Sequence, residues 1–590
     1  MFQSTGTATI DVKGQGGSTS ASDLYIAGTG NIIGGTTATG NITLTADSIT
    51  LAGLSVQTSQ NVTIKTRTPS GSIGIGGGTG TLGLTDAYLS MFLPSNKLII
   101  GDAASGTGDL IVDSWDLSAK IYNVEIYGND ITFQDTNPSA GVDYAMNLGT
   151  GNFLAYAKNN GGDLADLNIN AAIDKTELGT STLDLRAENN ITDASNIGSS
   201  AGLLHISLTS DADNNGVGDI IMGGATLNSA NGNIALNKAV TLNGNLTLAA
   251  GTGTLTAAST INGAYNLTAG AASMSFANAL GGSIALHDVS LTSIGSLGLP
   301  SITAGSILAR ATGAMADLSI AVGKTITGTN TGSAVTLVTR HNFINNAGAG
   351  AGAVSTPSGR WLIYATDPAN LSLNGMNASF DRYTCSYSGT CPTLGTGNGL
   401  LYTYTPVLTV TPGAVAVAYN ETPVFTYSVS GYLGGELSTD TVTGSPAYTI
   451  GFVPSGPSGL FNITTGASTL LSALGYGFTY TTRVDGLRVA APVARVVVPN
   501  TVIRVSQQPS LNSLAQSGST TISSVKTSTS SDSSTNIGTQ KLNPENYRGE
   551  FVLDVAETGN LQTSIPRLTV DPELQKELNL NTTMVASSRE

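Results

Sequence analysis

The segment Asp211-x-Asp213-x-Asn215-Gly216 sets oxygen-bearing side chains at alternate positions and closes on a glycine. That is the first half of a calcium loop, in which such oxygens surround a hard cation at a tight turn. The twelfth position, where a bidentate carboxylate is needed, holds Met222. Asp219 would contribute only in a loop folded differently. Two readings stand side by side: a polar turn between strands, and a weak calcium site on Asp211, Asp213 and Asn215.

His205, His287 and His341 are the three histidines, far apart in sequence and without an adjacent Ser or Cys partner. Stacking of repeats can bring distant residues together, so spacing alone leaves a triad open beside isolated surface histidines. Cleavage of a polysaccharide calls for two carboxylates ~5–10 Å apart and aromatic platforms for sugar rings. Asp109 with Asp130, or Trp115 with its flanking Asp113 and Asp116, are the candidates; solvated turn aspartates are the plainer reading. Gly323-Lys324-Thr325 resembles the end of a phosphate loop, but Leu318 stands where a Gly is required. Gly78-Thr79-Gly80-Thr81-Leu82-Gly83 fits a dinucleotide fingerprint by letter only, because no strand–helix unit surrounds it. Both are chance matches in a Gly-rich chain. Cys385 and Cys391 allow one small-loop disulfide in an oxidising compartment, or two free thiols. No zinc spacing exists, and no cofactor beyond the weak calcium candidate is expected.

The elements that must hold these groups follow from composition and period. The 590 residues carry 24 Lys plus Arg against 39 Asp plus Glu, a net charge of −15, and only 11% are charged. An acidic chain lacks the basic patch that nucleic acid requires, so nucleic acid is excluded as a partner. Hydrophobic residues reach 40% but aromatics only 6%, and Gly appears 73 times. The apolar part is therefore small or β-branched. Helices are disfavoured, since each interior Gly costs ~1 kcal/mol.

Short alternating runs recur between Gly, Asn and Asp: Ile42-Thr43-Leu44, Val62-Thr63-Ile64, Leu246-Thr247-Leu248 and Leu267-Thr268-Ala269. Apolar residues two apart mark strands with one buried face. Ile42 to Val62 and Leu246 to Leu267 are about 20 positions apart, a period of stacked repeats that cannot close a core singly. The expected fold is all-β. A right-handed parallel β-helix spans 1–345, with irregular spacing from Ile307 onward implying inserted loops. A cap or transition segment follows over 346–405, then a small Ig-like β-sandwich over 406–494. A largely disordered Ser/Thr-rich tail occupies 495–590, with one short helix near 572–580 begun by Pro572. No apolar run approaches the ~20 residues of a membrane helix, and the first residues lack the pattern of a signal peptide.

Over about residues 20–405 the pattern resembles filamentous-haemagglutinin-like exoproteins of Gram-negative bacteria, exported by two-partner secretion. Leu208–Gly216, Gly218-Asp219-Ile220, Gly232–Leu236 and the turn Ser358–Tyr364 carry the likeness. The following module is similar to the bacterial Ig-like MBG repeat, through Tyr419-Asn420, Gly444-Ser445-Pro446, Gly459–Thr464 and Asp485–Val489. The resemblance implies a non-enzymatic adhesin, secreted or on the cell surface. Its partners would be an outer-membrane transporter for the full-length form and a host or bacterial receptor or polysaccharide. The family's signal peptide and Asn-Pro-Asn-Gly-bearing secretion domain are missing, so the chain reads as the C-terminal part of a longer exoprotein. The alternative is a β-helix enzyme acting on polysaccharide. A contact-dependent toxin is disfavoured by the Ser/Thr-rich C-terminal segment.

Overall fold

In a computed structural model the described residues are 2–493, apart from 17–21, 106–107, 137–143, 160–163, 349 and 435–441. The expected disordered tail and the short helix near 572–580 lie outside them. The alternating runs form strands as their period dictates: Asn61–Lys65, Asn123–Gly128, Ser181–Ala187 and Leu204–Thr209 each bury every second residue. From residue 97 to 271 the chain visits three sheets in turn, as in Asn123–Gly128, Ile131–Gln134 and Met146–Leu148, and returns to the first at Phe153–Ala157. These sheets contain 11, 9 and 15 strands, and their pairings are parallel. The architecture is a parallel β-solenoid.

Register explains why the core needs no aromatic bulk. On the 11-stranded face, Ile42, Val62, Leu98, Val124, Phe153 and Leu183 lie directly over one another. On the 15-stranded face a second row runs from Trp115 through Met146, Ile173, Ile197 and Leu227 to Leu248. Both rows are buried throughout. Neighbouring strands lie ~4.8 Å apart, so each side chain touches its counterparts above and below, and similar residues stack without voids. The spacings read from the sequence are true coil lengths, because Ile42 pairs with Val62 and Leu246 with Leu267. Other coils range from Val289-to-Ile307 to Ile363-to-Leu400, as the inserted loops require.

The ladder continues past residue 345 into the expected cap or transition segment. Gly359–Ala365 and Gly399–Tyr402 extend the 15-stranded sheet, and Phe380–Arg382 forms its last edge strand. The apolar run Trp361-Leu362-Ile363 does not alternate because both faces are covered. Trp361 and Ile363 face the coil interior, while Leu362 and Leu401 pack outside against Cys385. Segment 346–405 is thus further coil plus a covering loop.

Nine short strands follow among the described residues. Val442–Thr443 pairs with Leu471–Ser472, and the other seven build two small sheets. One contains Val407–Pro412, Tyr427–Ser430 and Gly477–Tyr480; the other contains Val415–Val417, Ala447–Ile450, Gly459–Gly466 and Thr482–Val489. Phe452, Ile463, Leu487 and Val489 form its separate core. The sandwich also closes the stack. Leu408 and Tyr476 belong to the continuous core of the coils, and Tyr383 lies between Tyr402 and Tyr476, with ring centroids at 5.6 and 4.8 Å. Tyr383 N–H donates to the Leu474 carbonyl at 2.7 Å, and Gly475, with φ +94°, lets that backbone approach. Among the described residues no helix is long and apolar enough to cross a membrane.

Candidate functional site

Corners between strands are where the polar side chains gather, and hydrogen bonds decide their roles. Asn41 Oδ1 accepts Asn61 N–H at 3.3 Å, Asn123 Oδ1 accepts Asn152 N–H at 2.9 Å, and Asn152 Oδ1 accepts Thr182 N–H at 2.9 Å. Each side chain thus satisfies a backbone donor of the next coil, a group that is costly to leave unpaired where strands turn.

Asp109 and Asp130 belong to such a ladder. Asp109 Oδ1 accepts Asp130 N–H at 3.3 Å, Asp130 Oδ1 accepts Asp166 N–H at 2.9 Å, and Asp166 Oδ1 accepts Asn190 N–H at 3.0 Å. Asn190 Oδ1 in turn accepts Asp219 N–H at 2.9 Å. These side chains bridge backbones, one coil to the next. Asp113 is fully buried and accepts from Ser114, Gln134 and both Thr136 donors. Burial acts to raise its pKa, but the bonds from Thr136, Gln134 and Ser114 outweigh it and hold the carboxyl below its ordinary value. Asp116 accepts from Ser118 N–H and Asn147. Trp115, offered as a sugar platform, is 2% exposed and packs edge-on against Phe153 at 6.1 Å inside the coil. The platform reading is overturned: alternation turns Trp115 inward.

The histidines are parts of the same ladders. His205 Nδ1 accepts Asn233 N–H at 3.0 Å, in the position taken elsewhere by asparagine oxygen. His287 Nδ1 lies 3.0 Å from Asn266 Oδ1 and 2.9 Å from Asp288. Ser306 bonds the same Asp288 and not the imidazole, so the order of a nucleophilic triad is not met. His341 Nδ1 sits 2.6 Å from Asp317, whose carboxyl also accepts from Asn342. Against the opposing effect of burial, His341 and Asn342 lower the pKa of Asp317.

At the calcium candidate a lysine already occupies the acidic side chain. Lys238, from the next coil, puts its ammonium 2.7 Å from Asp211 Oδ2 and 3.0 Å from Asn214 Oδ1. This bond and two backbone donors, opposed by burial, hold the Asp211 carboxyl below its ordinary value. Asp213 accepts the Asn215 amide at 2.8 Å, and Asn215 Oδ1 accepts Val217 N–H at 2.8 Å. Asp211, Asp213 and Asn215 therefore form a turn pinned by a lysine. Among the described residues no group of three or more His, Cys, Asp or Glu is gathered as metal ligands would be. Millimolar calcium is expected to leave the Tm of the wild-type protein unchanged and to raise that of Lys238→Ala, where Asp211 and Asn214 lose their ammonium. Equal upward shifts in both would restore the calcium reading. Lys238 was missed because its partner lies 27 positions away, and only the coil register brings them together.

Cys385 and Cys391 are joined as a disulfide. The outer side of the 11-stranded face carries paired charges and tyrosine hydroxyls. Lys97 pairs with Glu125 at 2.5 Å, Arg186 with Asp184 at 2.6 Å, and Tyr127 and Tyr156 hydrogen-bond Glu125 and Glu188. Burial first, then Glu188, pushes the Tyr156 hydroxyl up to about 12. A shallow depression of about 420 Å³ crosses this face between Lys97, Asn123, Asn152, Thr182 and Arg186. Its charges, Lys97 with Glu125 and Arg186 with Asp184, are matched in opposite pairs, so it offers hydrogen bonds more than net charge. No protein-family model, curated protein or solved structure matches the chain.

Proposed function

We propose that the protein is a non-enzymatic attachment protein whose stacked coils present long, mostly uncharged β-faces to an extended partner such as a polysaccharide. The observation that carries this reading is the use made of the reactive side chains. Asp109, Asp113, Asp130, His205, His287 and His341 all serve hydrogen bonds within and between coils. Their geometry holds backbone to backbone, whereas general acid–base chemistry needs carboxylates turned toward a common substrate position. The outward residues, chiefly Thr, Ser and Asn with paired charges, suit many weak hydrogen bonds repeated every ~4.8 Å. The resemblance to filamentous-haemagglutinin-like exoproteins supports a secreted or cell-surface setting, export through an outer-membrane transporter, and attachment to host or bacterial surfaces. The MBG-like module fits this reading as a terminal closure of the stack.

The test is a panel of immobilised polysaccharides incubated with the purified full chain, read for retention and for released reducing ends or unsaturated uronate. Saturable retention without product is the expected result. Sustained product release from any member would overturn the non-enzymatic reading, and failure to be retained by every member would overturn attachment to polysaccharide.

A further inference from the structure

The groove beneath the disulfide loop carries positive charge. It encloses about 440 Å³ on the outer side of the 15-stranded sheet near its C-terminal end. Arg310, Arg340, Tyr364 and Tyr387 supply its larger side chains, and among the described residues no Asp or Glu lines it. Arg310 is the last residue but one of the strand Ile302–Ala311, and register carries it across Val338 to Tyr364 in one outward row. Tyr387 stands on the loop closed by Cys385–Cys391 and meets Tyr364 edge-on at 5.4 Å. The Arg310 guanidinium lies 5.1 Å from the Tyr387 ring centroid. Arg310 Nε is buried without a hydrogen-bond partner.

Among the described residues neither arginine forms an ion pair, although the chain has 39 acidic residues for 24 basic ones. A guanidinium without an acidic partner is a donor fork for a planar anion, offered here by the terminal nitrogens because Nε is covered. The tyrosine rings offer apolar faces of sugar size, and Ser386 and Ser388 line the rim with hydroxyls. Cations, ring faces and hydroxyls together match a sugar that bears a carboxylate. We infer that this groove binds a uronate unit of an acidic polysaccharide, with Arg310 and Arg340 on the carboxylate and the disulfide loop holding Tyr387 over it. The inference rests on the attachment reading in taking a polysaccharide as the ligand, and it adds the site and the charge class.

The test is calorimetric titration of the oxidised full chain with oligogalacturonate, its carboxyl-reduced counterpart, and polyglutamate. The wild-type protein is expected to bind oligogalacturonate and neither of the others. Arg310→Gln and Arg340→Gln should each weaken binding about 10- to 100-fold, the loss expected for a hydrogen-bonded charge partner. Their melting curves establish that they fold. Reduction of the disulfide, or Tyr387→Ala, should weaken binding in the same direction. Wild-type affinity in both arginine variants would overturn this site while leaving polysaccharide attachment intact. Equal binding of polyglutamate would overturn the sugar assignment, and equal binding of the carboxyl-reduced oligomer would overturn the role of charge. No binding of oligogalacturonate overturns the inference, whereas the attachment reading fails only if the whole polysaccharide panel also goes unbound.

Discussion

The protein is expected to lose stability as the pH rises from about 4 to about 7, and Asp193→Asn is expected to remove most of that loss. Asp193 ends the strand Ile191–Asp193 and is fully buried, with Ile169 on one neighbouring coil and Met222 on the other. Among the described residues its Oδ1 accepts only the Ser195 N–H, at 3.2 Å, and its Oδ2 is buried without a partner. Burial therefore pushes its pKa from 3.8 up to about 7, opposed by the single bond from Ser195.

A carboxyl whose folded pKa lies above its unfolded value takes up a proton on folding, so its contribution is greatest at low pH. It declines as pH rises through the interval between the two values and is flat above the folded one. At ~1.4 kcal/mol per pKa unit, the shift corresponds to on the order of 4 kcal/mol across that interval. Asp113, Asp211 and Asp317 act with the opposite sign. Their pKa values are lowered, so the stability they contribute is present above the unfolded value and is lost as pH falls through the folded one. Chemical denaturation of wild type and Asp193→Asn at intervals from pH 4 to 8 checks this, and parallel stability profiles would refute it.

Trp115→Ala is expected to cost about 3–5 kcal/mol, the range for removing a buried aromatic and leaving a cavity. Trp115 is among the largest buried side chains of the described residues, stacked over Met146 and edge-on to Phe153, which itself packs edge-on against Phe133 at 6.3 Å. The hole would be lined by rigid neighbours from adjacent coils, so little collapse can offset it. Urea unfolding and limited proteolysis near this coil measure the loss. Retention on polysaccharide should persist under conditions where the variant remains folded. A variant of unchanged stability with lost retention would instead return Trp115 to the role of a sugar platform.

Strand after strand was legible because a period of two survives any local irregularity. Ile42-Thr43-Leu44 and Leu246-Thr247-Leu248 alternate, and a one-residue slip would turn their apolar side chains into water. The end of the coil was less so, since Leu362 and Leu401 are covered outside by a loop, and a continuous apolar run carries no period. Site chemistry was misread in a consistent direction. Asp113 and Trp115 sit two positions apart among carboxylates, yet strand direction sends the ring inward and Asp113 into a corner with Thr136.

The sequence by itself determined that this is an acidic, all-β stack of short coils with small side chains inside, because composition and alternation act locally. Only the tertiary structure decided which polar groups are spent. Lys238 on Asp211, Asn233 on His205, and Arg310 beneath Tyr387 are partners separated by one or more coils of unequal length. Register fixes those meetings, and register depends on every loop between them. The three histidines and the Asp-Asn motif, which looked like chemistry, became the hydrogen bonds that hold the coils. Two arginines with no motif at all were left facing an open groove.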